Sequence, residues 1–452
     1  MKRIIDHHLL LWKDTPYRKP LLLRGARQVG KTHAIQQLGK FFENFIEINF
    51  ESTNTEIKHI FDQDLDPERI IRDLSLILGT RIEPGKSLLF FDEIQVIPKA
   101  VTALRYFYEK LPQLHVIAAG SLLDFTTQDI GMPVGRISSL YMHPLSFIEF
   151  LCACGHALLA EEFLKHDIAS PLNEAVHQKG LQLLGEYLAI GGMPEAVQRW
   201  QATRDPFLCF EVHHALLDTY RQDFGKYAQK FQIKYLDVLF NAIPRQMGAK
   251  FKYSAIDGDY RKRELAPCLD LLSTAGVAHK VMRSAGNGIP LGAEADPSDF
   301  KILFLDIALS QALLGLDLKT WFLNATQEFV NKGAVMEAFI GQEFLAYAEP
   351  IHKNSLFYWR RHALNSEAEI DYLMQEKAHI IPIEVKSGQG STLKSMHMFL
   401  ESHTQSPYGI RFSTQNYHVH EKIHSYPLYA VPHVVLASQG RDIESYAALC
   451  AR

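Results

Sequence analysis

The chain has 452 residues, of which 47% are hydrophobic and 22% charged, and its formal net charge is -4 at pH 7. This composition excludes a largely disordered chain, and the length predicts about three domains. The charge excludes a global attraction to nucleic acid or membrane, so contact with a polyanion requires a local patch. Five scattered cysteines predict a cytoplasmic protein without a disulfide framework, and no apolar run approaches the length of a membrane span.

A glycine-rich loop near the N-terminus matches the pattern G-x-x-x-x-G-K-[ST]. An apolar strand over residues 20–23 precedes it, and a helix over residues 32–40 follows it. The loop consists of Gly25, Ala26, Arg27, Gln28, Val29, Gly30, Lys31 and Thr32. Its glycines let backbone N–H groups point at phosphate oxygens, and the helix adds its positive end. We expect an ATP site with Lys31 on the β- and γ-phosphates and Thr32 on Mg²⁺; a chance turn is the alternative.

An apolar run over residues 87–91 ends in two acids, Asp92 and Glu93. Such a run predicts a strand buried on both faces of a parallel sheet, whose carboxyl end is where ligands bind. Asp92 is suited to hold Mg²⁺ through water, and Glu93 to polarise the water that attacks the γ-phosphate. Simple termination of the strand is the alternative.

Two later residues are candidates for completing this site. Ser121 ends a buried strand over residues 114–121, where its hydroxyl can sense the γ-phosphate or orient the attacking water. A plain strand-to-helix turn explains it equally well. Arg136 lies in a Gly/Pro-rich loop and is a candidate arginine finger for a neighbouring subunit, which predicts a homo-oligomer. A solvated loop arginine is the alternative.

Three further stretches, residues 119–121, 135–136 and 143–150, join the glycine-rich loop and residues 91–95 in one pattern. Together they resemble a prokaryotic AAA-type ATPase family whose members carry a C-terminal domain of long-uncharacterised function. The resemblance implies an α/β fold with an AAA+ parallel sheet over residues 1–155. It also implies nucleotide and Mg²⁺ contacts for the loop, a hydrolytic pair after the apolar run, a sensor serine and an arginine finger.

The middle of the chain predicts two further parts. Residues 156–230 have helical periodicity broken by Gly-Gly-Met-Pro-Glu at 191–195, a break that also resembles the family, and suit a helical lid. Residues 231–325 predict helices followed by two strands, a winged-helix-like domain. The basic residues Arg261, Lys262 and Arg263 are suited to contact DNA phosphates, although a solvated face or a domain-joining winged helix explains them as well.

The last part, residues 326–452, contains a second group of acids. Glu337 lies in a predicted helix, Asp371 in a strand, and Glu384 and Lys386 in the next strand, on one face because side chains alternate. This order resembles the signature of the PD-(D/E)XK nuclease superfamily. The resemblance implies an α/β domain in which Asp371 and Glu384 hold Mg²⁺, Lys386 positions water and Glu337 supports the metal. An edge strand with solvated charges is the alternative.

Two functions follow from these patterns. The first is a Mg²⁺-dependent ATPase that governs a nuclease-like domain acting on DNA or RNA. The second is a nucleotide-switched signalling or interaction protein whose C-terminal domain binds partners without cleavage. The first requires Asp371, Glu384 and Lys386 to converge on one divalent-ion site.

Overall fold

The computed structural model describes residues 1–120, 125, 135–317, 319–363, 366–386 and 393–441. The chain forms two compact units. The N-terminal unit comprises residues 3–143 and 350–353, and the C-terminal unit comprises residues 1–2, 144–349 and those from 354 onward. The domain boundary expected at residue 155 stays a prediction. The division of the second into lid, winged helix and nuclease-like domain stays a prediction.

The N-terminal unit alternates strands and helices. Its elements are α1 (Ile4–Asp14), β1 (Leu21–Arg24), α2 (Lys31–Gly39), β2 (Asn44–Asn49), α3 (Thr55–Ile60), α4 (Pro67–Leu78), β3 (Ser87–Asp92), a 3₁₀ turn (Ile94–Val96), α5 (Pro98–Lys110), β4 (His115–Ala119) and β5 (Ser138–Tyr141). The strands form one sheet in the order β2-β3-β4-β1-β5, and every pair in it is parallel. The predicted parallel α/β sheet is confirmed.

The centre of this sheet is buried on both faces. Every residue of β3 and of β4 is buried, as expected for apolar strands covered on both sides. Large side chains of the core include Phe50, Phe61 and Phe91, whose rings pack together. Because all strands run in one direction, the loop after β1 and the acids after β3 emerge at the same edge of the sheet.

The C-terminal unit begins with helices and continues with a mixed sheet. Its α-helices are α6 (Phe147–Ala153), α7 (Ala157–Lys165), α8 (Glu174–Ile190), α9 (Pro194–Thr203), α10 (Pro206–Tyr227), α11 (Ile233–Ala242), α12 (Lys262–Thr274), α13 (Ile307–Leu313), α14 (Thr320–Asn331), α15 (Gly333–Tyr347), α16 (Lys394–Ser402) and α17 (Val431–Ser438). Its 3₁₀ turns are Pro244–Gln246, Tyr253–Ala255 and Leu291–Glu294. Its strands are β6 (Ala278–Ser284), β7 (Ala295–Phe304), β8 (Leu356–Ala363), β9 (Ser366–Glu376), β10 (His379–Val385), β11 (Gly409–Ser413), β12 (His418–His420) and β13 (Ile423–Pro427).

These eight strands form one sheet in the order β12-β13-β11-β10-β9-β8-β6-β7. The hairpin β6–β7 supplies the two strands that the sequence predicts after the helices, and it also extends this sheet because β6 pairs in parallel with β8, with Val281 opposite Leu356. The second hydrogen-bonding edge of β6 is stabilised by this pairing with another strand. The winged-helix domain stays a prediction.

Three cysteines of the described residues, Cys154, Cys209 and Cys268, are free and buried, whereas Cys152 is disulfide-bonded. The expected absence of a disulfide framework stays a prediction. Sequence spacing does not show which thiols the fold brings within bonding distance. Among the described residues, no helix is both long and apolar enough to cross a bilayer. A cytoplasmic location stays a prediction.

Candidate functional site

The glycine-rich loop between β1 and α2 has a backbone that its glycines make possible. Gly25 and Gly30 have φ of 144° and 100°, in the region that favours glycine. A Cβ on Gly25 would lie 2.2 Å from the carbonyl oxygen of Met142, so a larger residue does not fit. Gly30 immediately precedes α2 and offers no side chain to cap it. The first N–H groups of α2 therefore remain suited to an anion.

Lys31 extends its side chain back into this loop. Its ammonium donates hydrogen bonds to the carbonyl oxygens of Gly25 and Ala26, both at 2.8 Å. Burial lowers the pKa of Lys31 to about 8, although the charges of Glu93 and Asp92 act in the opposite direction. The structure therefore places this predicted phosphate-binding cation inside the loop, near the two acids that follow β3.

Thr32 and Asp92, the two residues expected to hold Mg²⁺ here, lie in contact. The Thr32 hydroxyl donates to Asp92 Oδ2 at 3.0 Å, and the Asn49 amide donates to the same oxygen at 3.4 Å. Burial raises the pKa of Asp92 despite these hydrogen bonds. Asn49 was not predicted, although its position at the end of β2, opposite Asp92 in the parallel register, is a signal that strand pairing provides.

Glu93 leaves the strand in a different direction from Asp92. Its φ of 50° is in the left-handed region, which is uncommon for a residue with a side chain and clusters at functional sites. Gln95 donates to its carboxylate at 2.5 Å, and the Glu93 N–H donates to Asp92 Oδ1 at 3.1 Å. The two adjacent acids are therefore separated by the backbone, one against Thr32 and the other against Gln95.

Arg3 also supports the loop, and sequence reasoning missed it. Its guanidinium donates to the carbonyl oxygens of Val29, at 2.9 Å, and His143, at 2.7 Å. The Arg3 side chain is buried although it carries a charge. A lone arginine at the start of a chain carries no local signal of this role, because its partners are distant in sequence.

Two residues predicted to complete this site remain, and the structure describes one of them. Ser121 lies outside the described residues. Arg136 is exposed, and its Nε donates to Glu109 at 3.0 Å. It precedes β5, whose Ser138 pairs with Leu21 at the start of β1. Because the strands are parallel, Arg136 lies at the amino ends of the strands, whereas the glycine-rich loop lies at their carboxyl ends. The chain therefore does not bring Arg136 to its own loop.

The second predicted group assembles in the C-terminal unit. Asp371 on β9 accepts a hydrogen bond from the Val385 N–H at 2.8 Å, which places it beside Glu384 on β10. Lys386 Nζ lies 3.0 Å from Glu384 Oε1. Glu337 reaches the same region from α15, since its charge acts on both Asp371 and Lys386. The helix and the hairpin thus bring the four residues together.

A residue that was not predicted, Lys301 on β7, lies among these acids. Its ammonium is 2.8 Å from Glu337 Oε1, 2.6 Å from Glu369 Oε1 and 3.7 Å from Asp371 Oδ1. Burial acts to lower the pKa of Lys301, but the three carboxylates together raise it above its ordinary value. Burial raises the pKa of Glu337 to about 7. We call Glu337, Glu369, Asp371 and Glu384 the acidic cluster.

The acidic cluster does not fit the expected Mg²⁺. Among the described residues, no group of three or more His, Cys, Asp or Glu is arranged to hold a metal ion. Asp371 and Glu384, expected as its ligands, differ: Asp371 has both oxygens near a partner, whereas Glu384 Oε2 is buried without a hydrogen-bond partner in the described part of the chain. Mg²⁺ is commonly bound through one or two carboxylates, and here Asp371 would have to leave its partners to serve as one of them.

Two further groups lie at the surface of the C-terminal unit. Arg261, Lys262 and Arg263 are exposed around the first turn of α12, where the Arg261 N–H donates to Glu264 at 2.9 Å. His418 and His420 are exposed on the edge strand β12. The three basic residues of α12 and its cap are therefore at the surface, and their contact with DNA stays a prediction.

Family models cover three parts of the chain. Residues 17–151 match a model described as an AAA domain, and residues 181–320 and 332–431 match two domains of unknown function, DUF8612 and DUF4143. No curated protein matches the chain. The Walker-type ATPase PABY2304 of Pyrococcus abyssi is similar at 16% identity and a TM-score of 0.45, over 69% of this chain and 95% of that one. The Aeropyrum pernix ORC1 protein in complex with DNA has 13% identity and a TM-score of 0.27, over 70% and 93%.

The family match and the geometry concern the same residues. The AAA domain model spans the glycine-rich loop and the strand that carries Asp92. The structure forms there the parallel sheet, with the loop and the acid at one edge. Residues 17–151 are therefore similar to an AAA domain in sequence, and they form the parallel sheet and glycine-rich loop described above.

Proposed function

We propose that the chain binds ATP with Mg²⁺ and hydrolyses it. The observation that carries this proposal is the 3.0 Å contact between the Thr32 hydroxyl and Asp92. The Lys31 ammonium is held within the adjacent glycine-rich loop. A hydroxyl and a carboxylate are the oxygen donors that Mg²⁺ takes in phosphate-binding sites, and the loop supplies N–H groups and a positive charge for the phosphates.

Each residue has a separate role in this proposal. The loop and Lys31 bind and orient the phosphates, and Thr32 and Asp92 hold the cation. When bound, Mg²⁺ neutralises charge that develops on the phosphoryl oxygens. Glu93 polarises the attacking water, and the Gln95 amide holds its carboxylate by a hydrogen bond of 2.5 Å. Asn49 and Arg3 position Asp92 and the loop backbone respectively. Ser121 as a sensor stays a prediction.

The test separates binding from hydrolysis. We expect Lys31→Ala to lose ATP binding, and Glu93→Gln to retain it while phosphate release falls by about 100-fold or more. Glu56→Gln, at an exposed position in the first turn of α3, is the matched control and should behave as the wild type. Full ATPase activity in Lys31→Ala would overturn the proposal.

Arg136 acts in trans in this proposal. An arginine at the far edge of its own sheet reaches a nucleotide in a second copy of the chain, which implies a homo-oligomer. The rate per subunit should then rise with protein concentration, and Arg136→Ala should remove the rise. Arg105→Ala is the matched control because Arg105 binds the same carboxylate, that of Glu109, at 2.9 Å. A concentration-independent wild-type rate would contradict this role.

For the C-terminal unit we propose nucleic-acid binding as a second function. The observation that favours it is the exposure of Arg261, Lys262 and Arg263 at the start of α12, where the helix dipole adds to their charge. Affinity for DNA or RNA should fall with salt, and removing the three charges should reduce that dependence. Binding that is unchanged in the triple alanine variant would contradict the proposal. A signalling role without nucleic acid is the alternative.

A further inference from the structure

We propose that Lys301 is a built-in cation of the acidic cluster that takes the place of a divalent metal ion. The C-terminal unit then neither binds a metal ion in this cluster nor uses one to cleave phosphodiester bonds. The inference goes beyond ATP hydrolysis and does not rest on it, since it concerns the protein without nucleotide.

The first observation that supports this proposal is the position of the Lys301 ammonium among carboxylates. An ammonium has three N–H donors, and three carboxylates surround this one, those of Glu337, Glu369 and Asp371. The side chain is 2% exposed, and its nitrogen lies 5.2 Å from the centre of the Tyr358 ring, which adds a favourable cation–π contact. The ammonium thus has two carboxylate oxygens within 2.8 Å and a third carboxylate as an ion-pair partner at 3.7 Å.

The second observation is the number of cations that surround the acidic cluster. Among the described residues, four cations accompany the four acids. Lys301 and Lys386 form ion pairs as given above, Arg360 Nε lies 3.9 Å from Glu369, and Arg411 acts on Glu384 from the adjacent strand β11. A divalent ion would add two further positive charges beside the Lys301 ammonium, whose side chain is 2% exposed, and uncompensated charge is unfavourable where it is buried.

The third observation concerns the carboxylate oxygens of Asp371 and Glu384. Asp371 has one oxygen toward Lys301 and the other on the Val385 N–H, so it would have to leave a partner to bind a metal ion. Glu384 has one oxygen on Lys386 and one without a partner among the described residues. Of the two acids that the sequence assigns to Mg²⁺, one is already engaged by the resident cation.

The experiment titrates the nucleotide-free full-length protein with Mn²⁺ and counts bound ions by electron paramagnetic resonance. We expect the wild type and Asp371→Asn to bind the same number of Mn²⁺ ions at millimolar concentration. Lys301→Met removes the ammonium but keeps a long side chain, and should gain one Mn²⁺ site per chain. That site should be absent from the double variant Lys301→Met/Asp371→Asn.

Lys250→Met is the matched control. The backbone of Lys250 bridges to that of Lys301, but its ammonium pairs with Asp299, at 2.8 Å, which is not part of the acidic cluster, so no Mn²⁺ site should appear. A Mn²⁺ ion that the wild type binds and Asp371→Asn loses would overturn the proposal. So would DNA or RNA cleavage by the wild type with Mg²⁺ or Mn²⁺ that Asp371→Asn abolishes. Mn²⁺ binding and nucleic-acid cleavage, each compared between the wild type and Asp371→Asn, test the proposal even if Lys301→Met does not fold.

Discussion

Glu343 gives the protein a stability that depends on pH. It lies on α15 with its carboxyl group buried, and both oxygens accept from the Phe147 N–H, at 3.1 and 3.2 Å, at the start of α6. The Tyr187 hydroxyl donates to it at 3.5 Å. The perturbation is Glu343→Gln, which keeps a carbonyl oxygen for the Phe147 N–H but cannot titrate.

The sign and the size of this pH dependence of the free energy of unfolding follow from the pKa of Glu343. Burial raises the pKa of Glu343 to about 8, from an ordinary value of 4.5. The folded chain therefore holds a proton that the unfolded chain has lost between these values. The stabilisation is complete below the ordinary pKa and is lost as pH rises through the folded one. From pH 6 to pH 8, this group alone should lower the free energy of unfolding by about 2 kcal/mol.

The assay is urea denaturation at both pH values, followed by tryptophan fluorescence. Of the four tryptophans, Trp200, Trp321 and Trp359 lie in the C-terminal unit, so the signal reports mainly on it. Glu343→Gln should lose its share of the pH dependence, whereas Glu211→Gln, exposed on α10, should retain the full dependence. Equal pH dependence in the wild type and Glu343→Gln would refute the reasoning.

Three further predictions concern the nucleotide site. Gly25→Ala should weaken binding of a fluorescent ATP analogue about tenfold or more, because its Cβ meets a backbone oxygen; Gly79→Ala, where a Cβ meets nothing within 4 Å, should not. Asp92→Asn should reduce phosphate release about 100-fold, while binding measured in EDTA is retained. Arg3→Met should weaken ATP binding without changing the circular dichroism spectrum, since it releases the loop carbonyl of Val29; unchanged affinity would contradict the positioning role.

The sequence predicted the glycine-rich loop because the constraints on it are local. A buried strand, two glycines and a following helix determine the course of the backbone within a dozen residues. The proximity of Thr32 to Asp92 followed from one further rule, that parallel strands end at the same edge. Arg3 did not follow, since its contact with Val29 depends on how α1 packs, which no local pattern encodes.

The C-terminal unit shows where local patterns stop being informative. The order of Glu337, Asp371, Glu384 and Lys386 predicted one site formed by a helix and a hairpin, and in the structure these elements bring the four residues together. It could not predict Lys301, whose strand β7 joins the same sheet through the pairing of β6 with β8, far apart in sequence. An acidic motif specifies the donors but not the cation. A buried lysine requires carboxylate partners, and three carboxylates in one place require a cation, so whichever cation the fold supplies determines whether a metal ion is needed.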